Sequence, residues 1–154
     1  MAENKRFVVA IHALTALALS DRDVVPSDDL AWSANMNASA VRRVLSQLRD
    51  ADLVRSKPGP DGGFTLSRNP DDVTLLDVYR AVDLGLAFRP DGNDPNPECP
   101  IGNNMTPALR DVFQPIETAL AGALEDVTLG DVVRDVAERI ERGEHVSLGP
   151  DASP

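Results

Sequence analysis

Apolar residues dominate the run from Phe7 to Leu19, in which Phe7, Ile11, Leu14 and Ala18 recur at helical spacing. That pattern predicts a helix from about Lys5 to Ser20, buried on more than one side. Asp21-Arg22-Asp23 closes it, and Val24-Val25-Pro26 is a short extended link. Ser27 is placed to cap a second helix, with Asp28 and Asp29 in its first turn, running to about Ala34. Asn35-Met36-Asn37 then reads as a turn, with Asn37 as the N-cap of a third helix over about Ala38 to Ala51. Val41, Val44, Leu45 and Leu48 fall at i, i+3, i+4 and i+7 of that helix, a single buried stripe. Its opposite face holds Ser39, Arg43, Ser46 and Gln47, with Arg42 on the flank. The period then changes from helical to alternating. Leu53 to Lys57 and Phe64 to Ser67 read as two short strands, joined by Pro58 to Gly63 with three glycines and two prolines.

Two capping-box spacings follow, Thr74 to Asp77 and Thr128 to Asp131. The first opens a helix through Val78, Ala81 and Val82 to about Leu84. The second opens a last helix through Val132, Val133, Val136 and Ile140. Between them, Arg89 to Asn104 holds Pro90, Pro95, Pro97, Pro100 and Cys99, a long loop with a functional role or high mobility. Thr106 is expected to cap the next helix with Pro107 at its first position. Its stripe, Leu109, Val112, Phe113, Ile116, Leu120, Ala123, Leu124 and Val127, lies close to heptad spacing, and Pro115 predicts a kink or a missing hydrogen bond. Such a stripe outside the small N-terminal core calls for a partner helix, hence a homodimer. The expected organisation is an N-terminal domain over 1–84, a Pro/Gly-rich sensing loop over 85–105, dimerisation helices over 106–142 and a loose tail over 143–154.

Two short helices, a tight turn and a glycine hairpin are the parts of a winged helix-turn-helix. The fold class is therefore mainly α with a small β-wing, plus a long dimerisation helix. Composition alone points away from nucleic acid, since the net charge is −10 and the pI near 4.5. The charge is segregated, however. Residues 37–68 carry six basic against three acidic side chains, a net of +3, whereas residues 1–36 net −2 and residues 69–154 net −11. Phosphate affinity depends on local cation density within about 10 Å at 0.1 M salt, so a distant acidic half need not abolish it. Candidate DNA contacts are Asn37, Ser39, Arg42, Arg43 and Gln47 on the third helix, and Lys57, Gly59, Gly62 and Gly63 in the wing. Small wing residues let the backbone approach phosphates or the minor groove. Twofold symmetry would match a palindromic operator.

Lys5-Arg6 ahead of the first apolar run imitates a secretory signal, but helical spacing and the interruptions at His12 and Thr15 favour a buried helix. The run is too short to span a bilayer, so no membrane span and a cytoplasmic location are expected. One cysteine excludes an internal disulfide and fits a reducing compartment.

Leu30-Ala31, Arg42-Arg43-Val44-Leu45-Ser46-Gln47-Leu48, Ala51-Asp52-Leu53-Val54-Arg55-Ser56, Gly59-Pro60-Asp61-Gly62-Gly63-Phe64-Thr65-Leu66 and Leu76-Asp77-Val78-Tyr79-Arg80-Ala81-Val82 occur in the order of a known pattern. The sequence resembles the Rrf2 family of bacterial winged-helix transcription regulators, over about residues 5 to 142. That family includes the iron–sulfur cluster regulator, the nitric-oxide-sensing repressor and the cysteine-metabolism repressor. The resemblance implies dimers crossed by a long helix, mostly acting as repressors. Its metal-sensing members carry three cysteines in the loop before that helix, where this chain offers Cys99 alone. The chain therefore resembles a single-cysteine subgroup without cluster ligands, and no cofactor is expected. Members with a similar Cys-Pro-x-Gly segment imply oxidant or thiol sensing at Cys99. An inert thiol and a loop that accepts a small-molecule effector stand beside that reading. A winged-helix protein-interaction module that does not bind DNA is the alternative function. Catalysis is not expected, since no phosphate loop, paired carboxylates or metal-ligand spacing accompany the thiol.

Overall fold

The computed structural model describes residues 3–82 and 95–144. Helix α1 (Glu3–Leu19) buries Val9, Ala10, Ala13, Leu14 and Leu17, the multi-sided burial its apolar run requires. Around it pack α2 (Ser27–Ser33), α3 (Ala38–Asp50) and the hairpin of β1 (Val54–Lys57) and β2 (Gly63–Leu66). A 3-10 turn (Pro70–Asp72) then leads to α4 (Leu75–Ala81), and α5 (Pro100–Glu125) and α6 (Leu129–Glu141) follow. Val41, Val44, Leu45 and Leu48 of α3 are fully buried, as their spacing predicts. The strands pair antiparallel with Val54 opposite Leu66 and Lys57 opposite Gly63. The link before α2 contributes a third partner to the sheet: Val25 and Phe64 exchange backbone hydrogen bonds of 2.9 and 2.8 Å.

The turn between α2 and α3 is closed from both sides. Asn35 takes the left-handed conformation (φ 48°), which asparagine tolerates, and Met36 N–H bonds the Ala31 carbonyl at 2.9 Å. Asn37 then caps α3, accepting the Ala40 N–H at 2.9 Å. The same closure ends α3, with Asp52 left-handed (φ 56°) and Leu53 N–H on the Leu48 carbonyl. One cap differs from expectation. Pro26, not Ser27, holds the N-cap position of α2 without a side-chain bond, and Ser27 is the first helical residue.

Both capping boxes form, Thr74 with Asp77 and Thr128 with Asp131. A backbone bridge joins them: Leu75 N–H bonds the Val127 carbonyl and Leu129 N–H the Val73 carbonyl, each at 2.8 Å. The start of the long helix corrects the sequence reading. Residues Pro100 to Met105 are already helical, Cys99 is the N-cap, and Thr106 caps nothing. Proline at the first helical position costs no hydrogen bond, and Cys99-Pro100 satisfies that rule as well as Thr106-Pro107 does. Pro107 and Pro115 lie inside the one helix, each withholding a single amide. The expected continuation of α4 to Leu84, the loop residues up to Asp94 and the tail beyond Glu144 lie outside the described residues.

Candidate nucleic-acid interface

The Asn37 cap fixes how α3 begins. Its Oδ1 accepts both the Ala40 amide and, at 2.7 Å, the Ser39 hydroxyl. Ser39 is thereby oriented at the exposed start of the helix, with Arg43 one turn further on the same face. Arg43 is exposed and engages no other side chain among the described residues. Ser39, Ala40 and Arg43 line a polar cleft of about 390 Å3 together with Arg6 of α1. Arg6 escaped the sequence reading because Lys5-Arg6 registers there only as a basic flank. No local pattern reports that α1 brings it beside α3.

The structure separates the remaining α3 candidates from this pair. Arg42 donates to Asp28 at 2.6 Å and to the Ser27 hydroxyl at 3.0 Å, bracing α3 against α2. Both partners of that ion pair are exposed, which limits it to about 0–1 kcal/mol. Gln47 turns away: its side-chain carbonyl oxygen is buried without a hydrogen-bond partner. Each step of four residues rotates the face by about 40°. Two steps beyond Ser39, Gln47 has swung roughly 80° toward the side of buried Val44.

In the wing, Lys57 ends β1, exposed and with no side-chain partner among the described residues. Gly59 has φ +103°, a conformation that disfavours any side chain. Gly62 N–H closes a turn onto the Gly59 carbonyl at 3.0 Å, and a Cβ on Gly62 would strike the Lys57 carbonyl. A Cβ on Gly63 would lie 2.5 Å from the Val25 carbonyl. All three glycines are thus demanded by the wing's own folding. Lys57, Gly59 and Gly62 share a cleft of about 300 Å3 with Pro26 and Ser27 at the start of α2.

Cys99 stands apart from these residues. As N-cap of α5 its carbonyl accepts the Asn103 amide at 2.9 Å, and its own amide bonds the Asn96 carbonyl at 3.1 Å. The amides of Gly102 and Ile101 lower its thiol pKa, outweighing a small opposing effect of burial. Gly102 is required there, because a Cβ would meet the Asn96 carbonyl at 2.7 Å. That packing holds the segment before the helix across its first turn.

A family model described as an iron-dependent transcriptional regulator, Rrf2, matches residues 4–135. The Bacillus subtilis protein YwnA, an HTH-type transcriptional regulator by name, is 35% identical over 130 residues, covering 84% of this chain and 96% of YwnA. The HTH-type transcriptional regulator IscR of Photobacterium profundum is 27% identical over 127 residues, covering 82% and 72%. The structure of CymR, the global cysteine regulator of B. subtilis, superposes with a TM-score of 0.61 at 21% identity, over 88% of this chain and 95% of CymR, a likeness of fold. The donor set does not fit an iron–sulfur cluster. The chain has a single cysteine and two histidines, of which His12 sits on α1, and no group of three candidate metal ligands occurs among the described residues. The match along most of the chain, with the winged fold and the exposed cationic helix face, places it in the Rrf2 family of transcriptional regulators.

Proposed function

We propose that the chain is a homodimeric repressor that reads a palindromic operator through Ser39 and Arg43, with Lys57 and the Gly59–Gly63 wing on the flanking backbone or minor groove. The observation that carries this reading is the Asn37-capped α3, which presents Ser39 and a partnerless Arg43 on one exposed face. A side chain held by no internal partner is available for a base edge or phosphate. Arg42 supports the helix that does the reading, and Gln47 has no part in it.

Dimerisation is supported by α5. Its 26 residues extend about 39 Å, and none is buried within the chain. Val112 is 58% exposed, Ile116 46% and Leu120 36%, along the stripe that the sequence marks as a helix partner. Among the described residues no helix is long and apolar enough to cross a membrane, consistent with a cytoplasmic regulator. Cys99, at the end of that same helix and biased toward thiolate, is the oxidant-responsive group of this proposal.

Selection of bound sites from random duplex DNA, with the mass of the complex measured by light scattering, tests it. A palindromic consensus bound by two chains is expected. A monomer on DNA, or the absence of any enriched sequence, overturns it.

A further inference from the structure

The cap of α3 settles where the Ser39 hydroxyl sends its proton. Asn37, extended at φ −73° and ψ 141°, receives the Ala40 amide on a side-chain atom 2.9 Å away. Only an oxygen can receive an N–H, so that atom is Oδ1 and not the amide nitrogen. Ser39 Oγ lies 2.7 Å from the same Oδ1, an ordinary O–H···O distance, and at that contact the hydroxyl can only donate. What Ser39 then turns outward is its lone pairs. Both residues are exposed, while fully buried Val41 and Val44 fix the start of the helix against the core. One turn on, the guanidinium of Arg43 is of the opposite kind, with donors and no acceptor.

In the major groove adenine and cytosine each offer an exocyclic amino group, whereas guanine and thymine offer a keto oxygen. We propose that Asn37, by holding the Ser39 proton, makes Ser39 an acceptor in the groove, so that α3 selects adenine or cytosine over guanine or thymine at the base Ser39 faces. This rests on the operator-reading proposal and adds the polarity of one contact within it. An amino group donates to Ser39 with the Asn37 bond intact. A keto oxygen meets a lone pair, or else draws the proton away and breaks the Asn37 bond, so its gain is cancelled by a loss of the same kind. A hydroxyl that is already donating is also the stronger acceptor. Ser39 is the contact, and Asn37 is a positioning residue that acts through it. Arg43, with donors alone, suits the acceptor edge of guanine, so the two residues of the exposed face read unlike bases.

The test is selection from random duplexes by the full chain, by Ser39→Ala and by Asn37→Gly, with Kd then measured for each base at each selected position. Glycine is tolerated at an N-cap, so Asn37→Gly removes the acceptor and keeps the helix start. The wild type should prefer adenine or cytosine on one strand, by about two- to tenfold in Kd, at a position where Ser39→Ala has no preference. In Asn37→Gly the hydroxyl is free to turn, and that preference alone should fall below about twofold. Should Asn37→Gly fail to fold, an otherwise identical base without its amino group replaces the preferred one. It should weaken the wild type by about two- to tenfold and leave Ser39→Ala unaffected. A guanine or thymine preference at the Ser39-dependent position overturns the inference, as does indifference of every position to Ser39→Ala. So does a preference that survives Asn37→Gly, or one lost at all positions together, which would make Asn37 a helix cap and nothing more. These results leave operator reading standing, whereas the absence of any enriched sequence removes operator reading itself.

Discussion

Arg43→Ala removes one exposed side chain that makes no hydrogen bond or ion pair with another among the described residues. No hydrogen bond, ion pair or buried apolar contact is lost with it, so the stability change should lie within about 0.5 kcal/mol. Operator affinity is a different matter. An arginine that reads a base edge contributes about 1–3 kcal/mol of discrimination, or about 5- to 150-fold in Kd. The separation between these two effects is what the structure predicts, because the side chain is held ready for a partner outside the chain. Arg42→Ala, two bonds into α2, should reverse the balance: a small stability loss of about 0–1 kcal/mol and little relaxation of sequence preference. Fluorescence anisotropy on the selected operator and on a scrambled duplex, at one fixed salt concentration, measures the affinities, with urea denaturation alongside. Wild-type affinity in Arg43→Ala would refute the reasoning. So would an equal loss on operator and scrambled duplex, which would make Arg43 a phosphate contact with no reading role.

Lys57→Ala should weaken operator and scrambled duplex alike and reduce the slope of log K against log salt by about 0.9, as removal of one phosphate contact does; an unchanged slope would take Lys57 off the DNA. Gly63→Ala should cost about 1–3 kcal/mol in urea denaturation, since its Cβ would press on the Val25 carbonyl at 2.5 Å and disturb the Val25–Phe64 bridge; a neutral result would mean the link before α2 yields freely. Alkylation of Cys99 should titrate at lower pH in the folded chain than in urea, because the Gly102 and Ile101 amides favour the thiolate and its population persists to lower pH. Coincident profiles would remove the electrostatic basis for sensing. Cys99→Ser should leave operator binding indifferent to diamide, and a retained response would place the sensor elsewhere.

The sequence made legible most of what rests on local periodicity and capping, the expected caps at Ser27 and Thr106 excepted. The α3 stripe, the Asn37 cap and both threonine capping boxes occur where spacing puts them. The α5 boundary was illegible because two Xaa-Pro signals compete within eight residues, and a proline rule scores both alike. The Val25–Phe64 bridge and the join between the two capping boxes were hidden for another reason. They pair residues far apart along the chain, and no period reports such contacts. At the candidate site, helical angle puts Ser39 and Arg43 on the exposed face near the cap, as the structure has them. Two turns on, Gln47 is half-buried with its side-chain carbonyl oxygen enclosed, a detail that an angle of about 100° per residue does not report.

Charge pairing completes what charge counting began. The acidic C-terminal half contains arginines, but α6 and the residues just beyond it spend them internally: Arg134 lies between Asp71 and Asp131, Arg139 bonds Asp135 at 2.8 Å, and Arg142 bonds Glu144 at 2.8 Å. Those cations are paired where they stand, beside carboxylates that repel phosphate. On α3 and the wing the opposite holds for Arg43, Arg55 and Lys57, each without a side-chain partner among the described residues. A polyanion approaching α3 and the wing therefore meets accessible cations on a surface whose helix and loop fit a groove. Segregation of this kind trades non-specific affinity for orientation, and it makes the protein's acidity part of how it finds DNA rather than an objection to it.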